Sequence, residues 1–136
     1  MVRLDDPFHK SHIPSKEWPV EVTDEFVEWW GGLAVGERES VASHIGLLRR
    51  FGPNLPFPYT SAVRGPRKTA LRELRLRHGR RRLRVLYAFD PRRVAVLLLG
   101  GDKTGRKDWY GAAVPKAERL FANHLAQLRR EGLVNG

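Results

Sequence analysis

Residues 71–89 read LRELRLRHGRRRLRVLYAF, and this stretch decides the fold. Apolar and polar side chains alternate on both sides of the dipeptide Gly79-Arg80, with the period of two that is typical of β-strands. If the dipeptide is a two-residue turn, the apolar side chains of the two strands meet in the pairs Leu76–Leu83 and Leu74–Val85. The sequence therefore predicts a β-hairpin with one consistently apolar face.

The other face of this hairpin is basic, because the same register places Arg77 opposite Arg82 and Arg75 opposite Arg84. Like charges that face each other across a sheet are destabilising by roughly 0.2–1 kcal/mol per pair. Residues 64–84 hold ten of the 25 Lys and Arg residues and only one acid, whereas the rest of the chain is nearly balanced. Such a concentration favours a polyanionic partner, most commonly nucleic acid. The alternative is a solvated face or an edge protected against aggregation.

Composition predicts a single globular domain over residues 17–132, preceded by a flexible tail at residues 1–16. The chain has 136 residues, of which 41% are hydrophobic, enough for one core. It contains no cysteine, which excludes disulfides, thiolate metal sites and cysteine nucleophiles. Its longest apolar run, residues 94–99, is too short to span a membrane, and the N-terminus shows no apolar signal region. We expect a cytoplasmic protein without membrane contact.

The remaining patterns predict an α+β fold of order β-α-α-β-β-β-α with a small, mainly antiparallel sheet. They place an edge strand at 18–22, a helix capped by Thr23 and ended by Gly31-Gly32, a second helix at 37–51, a loop at 54–67, a central strand at 94–99, a polar loop at 100–110, and a last helix begun by Pro115.

A second hairpin with its tip at Pro91-Arg92 would place residue 84 opposite residue 99. On that register the apolar end of the arginine-bearing face is formed by Leu86, Ala88, Ala95 and Leu97. We expect the last helix or a partner protein to cover this end.

Four short motifs now resemble a known family. They are Leu74-Arg75, Arg84-Val-Leu-Tyr87, an apolar strand that ends in Gly100-Gly-Asp-Lys103-Thr-Gly, and Trp109-Tyr110 before a closing helix. In their order and spacing over residues 17–130, they resemble the RelE/HigB superfamily of type II toxins, and most closely its HigB-like, phage-related branch. The resemblance implies a RelE-like fold and a metal-independent endoribonuclease that needs no cofactor. It also implies cleavage of mRNA, on the ribosome, and neutralisation by a cognate helix-turn-helix antitoxin.

The resemblance also implies roles for particular residues. Arg84 matches the arginine of the family's Arg-x-x-Tyr strand and would clamp a phosphate, while Lys103 would stabilise the transition state. Arg106 and Tyr110 match the basic and aromatic positions that follow. We expect RNA contacts from the neighbouring cations, which are Arg67, Lys68, Arg75, Arg77 and Arg82. Guanidinium groups suit this chemistry, because attack by a 2′-oxygen builds negative charge on the phosphate.

The proton carriers are less well defined by the sequence. His78, at the hairpin turn, could act as base or acid beside the arginines, or could simply cap an exposed turn. His124 lies on the apolar stripe of the last helix and is predicted to be a core residue, whereas His44 is expected at the surface.

The aromatic residues near the basic segment have two possible roles. Tyr59, Trp109 and Tyr110 flank it and could stack on bases. No carboxylate pairs at metal-binding spacing occur in it, which argues against a metal-dependent nuclease.

Other functions remain open at this point. A non-catalytic nucleic-acid-binding protein would use the same basic face. A ParE-like toxin that targets gyrase would have the same fold. A family member that has lost its activity would serve only as the partner of a DNA-binding antitoxin.

Overall fold

The computed structural model describes residues 2–3, 17–63 and 69–134. Within them lie the strands β1 Val2–Arg3, β2 Val20–Val22, β3 Thr60–Ala62, β4 Arg72–His78, β5 Arg81–Phe89 and β6 Ala95–Asp102. The helices are α1 Asp24–Gly31, α2 Val35–Phe51 and α3 Trp109–Arg130, with a short 3-10 helix at Gly52–Asn54. The predicted α+β class is confirmed. Of the predicted tail, only Val2–Arg3 is described, and these residues form β1; the rest of residues 1–16 lies outside the described residues.

The six strands form one sheet in the order β1-β2-β6-β5-β4-β3, antiparallel except for the parallel pair β2 and β6. The prediction of an edge strand at 18–22 was wrong, because β2 pairs with a strand on each side. Pro19 precedes the paired residues, so its missing N–H costs no ladder bond, and its carbonyl accepts from Ala95 at 3.0 Å. The predicted loop at 54–67 was also wrong in part, since Thr60–Ala62 pair with β4.

The first hairpin has the predicted register. Leu76 pairs with Leu83, Arg77 with Arg82 and Arg75 with Arg84. Gly79 has a φ of 59°, which a glycine adopts without steric cost at the turn. The two-residue turn therefore brings the four arginines together as the alternation indicated.

The second hairpin differs from its predicted register. Its turn spans residues 90–94, with Arg93 at a φ of 65°, and the Asp90 carboxylate accepts from the amide of Arg92 at 2.8 Å. A bulge lies between Leu86 and Tyr87, so Arg84 pairs with Gly101 and not with residue 99. As a result the apolar residues of β6 that share the arginine-bearing face are Val96 and Leu98, and not Ala95 and Leu97.

The sheet separates two cores. Helices α1 and α2 cover one face, and the core on that side includes Phe26, Ile45, Leu48, Leu74, Leu83, Tyr87 and Leu97. Helix α3 covers the other face, where the core includes Leu86, Ala88, Val96, Leu98, Trp109, Ala113 and Ala117. Thr23 caps α1 as predicted, because its hydroxyl accepts from the amide of Phe26 at 3.0 Å.

Helix α3 begins at Trp109, and the prediction that Pro115 starts it was wrong. The Trp109 indole is buried against the backbone of Gly101, where an added Cβ would lie 2.5 Å from Nε1. This packing anchors the first turn of the helix six residues before the proline. The helix covers the apolar end of its sheet face, as expected, and leaves the arginine end open. No helix in the described parts of the chain has the length and apolar character to cross a membrane.

Candidate functional site

The open end of the α3 face carries four arginines from two adjacent strands. Arg75 and Arg77 project from β4, and Arg82 and Arg84 from β5. Arg77 and Arg82 are exposed, Arg75 is half-buried, and Arg84 is only 5% exposed. One guanidinium is thus part of the interior while the other three border solvent.

Arg84 is buried because Glu73 neutralises it. The Arg84 Nε lies 2.9 Å from Glu73 Oε1, and both side chains are less than a tenth exposed. The Arg84 Nε–H does not point at the carboxylate oxygen, so this contact is an ion pair and not a hydrogen bond. The Arg84 Nη1 donates a hydrogen bond to the Leu83 carbonyl at 2.9 Å. The Tyr110 hydroxyl donates to the same Glu73 oxygen at 2.6 Å. Together the three side chains form a fixed, largely buried unit.

Tyr110 within this unit and Lys103 beside it have shifted pKa values. Burial, with the nearby Glu73 carboxylate, raises the pKa of Tyr110 to about 12, so its hydroxyl keeps its proton at neutral pH. Burial and the charge of Arg84 lower the pKa of Lys103, whose Nζ lies 5.4 Å from the centre of the Tyr110 ring. A lysine with a lowered pKa gives up its proton more readily than an ordinary one.

Two adjoining clefts open on this surface. The cationic cleft, of about 600 Å³, is lined by His44, Pro58, Tyr59, Arg75, Leu76, Arg77, Arg82, Arg84 and Lys103. The aromatic cleft, of about 420 Å³, is lined by Phe57, Ser61, Ala62, Glu73, Arg75, Lys103 and Tyr110. Arg75 and Lys103 belong to both clefts and form the wall between them.

Three arginines of the cationic cleft have no carboxylate partner among the described residues. Within residues 17–63 and 69–134, no carboxylate forms an ion pair with Arg75, Arg77 or Arg82. Arg81, by contrast, is paired with both Glu37 and Asp102. Uncompensated guanidinium groups around a concave surface make a strong anion site.

The ion pairs of Arg81 with Glu37 and Asp102 form a second network, which lies at the end of the sheet. Burial would raise the pKa of Asp102, but hydrogen bonds from Thr104 and Arg81 outweigh that effect and lower this pKa to about 2. The network ties the first hairpin to the loop that carries Lys103, whose amide donates to the Arg82 carbonyl at 2.9 Å.

The structure places His78 on the sheet face opposite the four arginines, so the geometry does not favour the prediction of an acid or base beside them. His78 is at an even-numbered position of β4 and shares the face of Leu74 and Leu76, which packs on α2. Its Nδ1 lies 3.1 Å from the Ser40 hydroxyl of that helix. The strand alternation that aligns the arginines necessarily turns His78 away from them.

His44, which was expected at the surface, is half-buried and is the histidine that lines the open cationic cleft. Beyond Leu74 the edge of β4 has no partner strand among the described residues, so α2 reaches the cleft from below that edge. The His44 Nδ1 donates to the Ser40 carbonyl at 2.9 Å, and a carbonyl can only accept. In the neutral ring this contact leaves Nε2 as the proton acceptor.

Other predicted site residues lie away from the clefts or outside the described residues. Arg106 is exposed in the turn before α3 and lines neither cleft. Arg67 and Lys68 lie outside the described residues. Trp109 is buried and cannot stack on a base, whereas Tyr59 is 42% exposed at the rim of the cationic cleft.

The sequence did contain a signal for Glu73, which was not predicted as a site residue. It is the only acid in residues 64–84, and its odd number on β4 places it on the face of Arg75 and Arg77. Parity alone was therefore enough to place it among the arginines.

A separate buried pair lies at the far end of the sheet. The His124 Nε2 donates to Asp90 Oδ2 at 2.8 Å, and both residues are buried, so the prediction of a core histidine is confirmed. Arg92 also binds Asp90, and it forms two hydrogen bonds with Glu21. Across the described residues, no group of three His, Cys, Asp or Glu side chains is arranged to hold a metal ion.

The fold and this surface together define a small α+β protein built around a cationic cleft. Residues 28–122, more than half of the chain, match the family "Phage derived protein Gp49-like (DUF891)". The chain belongs to this family, and the predicted phage-related resemblance is confirmed.

Two curated relatives are similar to the chain, both from Mycobacterium tuberculosis. One, named "Putative toxin HigB2", is 39% identical over 112 residues, which cover 81% of this chain and 55% of the relative. The other, named "Putative toxin HigB3", is 39% identical over 99 residues, which cover 72% of this chain and 85% of the relative. The chain thus spans about half the length of the first relative. No solved structure matches the chain significantly.

Proposed function

We propose that this chain is the toxin of a type II toxin–antitoxin system and acts as a metal-independent endoribonuclease on mRNA. The observation that carries the proposal is the cationic cleft, in which Arg75, Arg77 and Arg82 face solvent without a carboxylate partner among the described residues. The names of the two relatives support the toxin assignment. A ribosome-bound substrate and a helix-turn-helix antitoxin are part of the proposal, since both follow from the resemblance.

The three free arginines bind the RNA backbone in this proposal. A single-stranded RNA that is held by cations releases counter-ions, so its affinity falls steeply with salt. The arginines stand on two paired strands and so follow successive phosphates along a fixed surface. Arg84, held by Glu73 at the base of the cleft, keeps its guanidinium in place before substrate arrives.

The chemical step is an attack of the ribose 2′-oxygen on the adjacent phosphorus. The 2′-hydroxyl proton passes to His44 Nε2, the bond from O2′ to phosphorus forms, and the bond from phosphorus to O5′ breaks. Lys103 stabilises the charge on the phosphate, and its lowered pKa suits it to protonate the leaving 5′-oxygen. The products are a 2′,3′-cyclic phosphate and a 5′-hydroxyl, and atoms and protons balance without a cofactor.

Cleavage of a defined mRNA on purified ribosomes, followed by primer extension, tests the proposal. We expect the wild-type protein to cut the message, and chelation of divalent ions from the toxin before assay to leave the cutting intact. Lys103→Ala and His44→Ala should each lower the rate about 10²- to 10⁴-fold, as expected for proton carriers. Arg119→Ala removes an exposed arginine on α3 that lines neither cleft, and is the matched control.

The outcomes separate the competing functions. An intact message in the presence of wild-type protein, with RNA bound but uncut, would indicate a non-catalytic RNA-binding protein. Cleavage by Lys103→Ala at the wild-type rate would remove the proposed mechanism.

A further inference from the structure

The aromatic cleft has an exposed ring at its rim. Phe57 is 69% exposed, more than any other aromatic side chain that the structure describes. Single exposed apolar residues are common on protein surfaces. Phe57, however, stands at a cleft of about 420 Å³, within the ~300–1,000 Å³ range of small-molecule sites.

The ring of Phe57 is held in position by a cation. The guanidinium carbon of Arg75 lies 5.1 Å from the ring centre, within the range of a cation–π contact. Arg75 also lines the cationic cleft. A ligand that spans the two clefts would therefore place an anionic group on one side of Arg75 and a flat ring on the other side.

The floor of the aromatic cleft offers hydrogen-bonding groups. Both described contacts of the Glu73 carboxylate, to Arg84 and Tyr110, use Oε1. Ser61, which pairs with Glu73 across β3 and β4, lines the same cleft. An aromatic wall with polar groups at its base is the arrangement that binds an unstacked nucleobase.

We propose that the aromatic cleft holds one nucleobase of the RNA whose phosphate lies in the cationic cleft, with Phe57 stacked on its face. This inference rests on the proposed function and adds a base-binding residue to it. Phe57 is a recognition residue, since it touches the base and takes no part in proton transfer.

The test uses cleavage on programmed ribosomes with a matched set of aromatic variants. Phe57→Ala should lower kcat/KM roughly 5- to 150-fold, which corresponds to the loss of ~1–3 kcal/mol of stacking on one base. Phe57→Trp should retain most of the activity, because an indole also stacks. Phe51→Ala is the control, since Phe51 is exposed at 41% but lines neither cleft.

A second readout reports stacking directly. An mRNA with 2′-O-methyl riboses cannot be cleaved, and 2-aminopurine at the cleavage position loses fluorescence when it stacks. Wild-type protein, Phe57→Trp and Phe51→Ala should quench this fluorescence on the ribosome, and Phe57→Ala should not.

The results distinguish the two proposals. If wild-type protein cleaves but Phe57→Ala cleaves and quenches equally well, the base pocket is disproved and the endoribonuclease proposal stands. If wild-type protein neither cleaves the message nor changes the fluorescence, the endoribonuclease proposal fails and the base pocket fails with it.

Discussion

Arg84→Ala should destabilise the fold, although the substitution removes a like charge from a crowded basic face. The reason is Glu73, which would keep its buried position and lose the cation 2.9 Å away. Removing one partner of a buried ion pair costs about 3–5 kcal/mol, because an uncompensated charge stays behind. The Tyr110 hydroxyl still donates to the carboxylate, so we expect a loss of about 2–4 kcal/mol.

Urea unfolding at pH 7 measures this loss, and Arg82→Ala is the matched control. Arg82 is exposed on the same strand and faces Arg77, so its removal should change the free energy of unfolding by no more than about 0.5 kcal/mol. For a domain of this size, a loss of 2–4 kcal/mol lowers Tm by roughly 10 °C.

A double-mutant cycle then identifies the cause. In the Arg84→Ala background, Glu73→Gln removes the stranded charge and should recover at least about 1 kcal/mol, whereas the same substitution in the wild type should destabilise. The reasoning is refuted if Arg84→Ala costs less than about 1 kcal/mol, or if the two substitutions are additive.

Three further predictions follow from contacts in the structure. Tyr110→Phe removes the hydroxyl that donates to Glu73 and should lower the free energy of urea unfolding by about 1–2 kcal/mol; an unchanged value would show that the bond contributes nothing. The pKa of Asp102 is lowered to about 2, so its stabilisation is present above its ordinary pKa near 4 and is lost as the pH falls toward 2. Urea titrations at pH 5 and pH 2.5 should show a loss of up to ~2 kcal/mol attributable to this group, and Asp102→Asn should reduce the difference between the two pH values. Gly100→Ala should destabilise by about 1–3 kcal/mol in the same assay, because the new Cβ would lie 2.1 Å from the Trp29 ring; a neutral result would mean that the indole moves freely.

The sequence predicted the first hairpin well and the second poorly, for a physical reason. Residues 71–89 alternate, so their parity fixes which side chains share a face once the two-residue turn is placed. Residues 94–99 are apolar at every position and carry no parity information. The bulge at Leu86/Tyr87 and the longer turn held by Asp90 shift the register, and the hydrophobic pattern of the sequence does not reveal this shift.

The residues of the candidate site also differ in whether the sequence pattern predicts their position. The shared face of Arg75, Arg77, Arg82 and Arg84 could be predicted because it depends on strand parity alone. The position of His44 could not, because it depends on how α2 packs below the edge of β4. Phe57 lies in a segment without periodicity, and only the folded chain shows that its ring meets Arg75.

The burial of Arg84 distinguishes this surface from an ordinary solvated basic face. On a solvated face all four arginines would extend into water, and a single acid among ten bases would serve no fixed purpose. Here Glu73 holds one guanidinium at the base of the cleft, and in the part of the chain that the structure describes no carboxylate pairs with Arg75, Arg77 or Arg82 around it. The Arg84 guanidinium is already desolvated and fixed in the folded protein, so it need not reorganise when a phosphate binds. A face kept only for solubility has no reason to meet the cost of desolvating a cation. Stability and the activity of the cleft should therefore be lost together in Arg84→Ala, and when Glu73→Gln is added part of the stability should return but the activity should not.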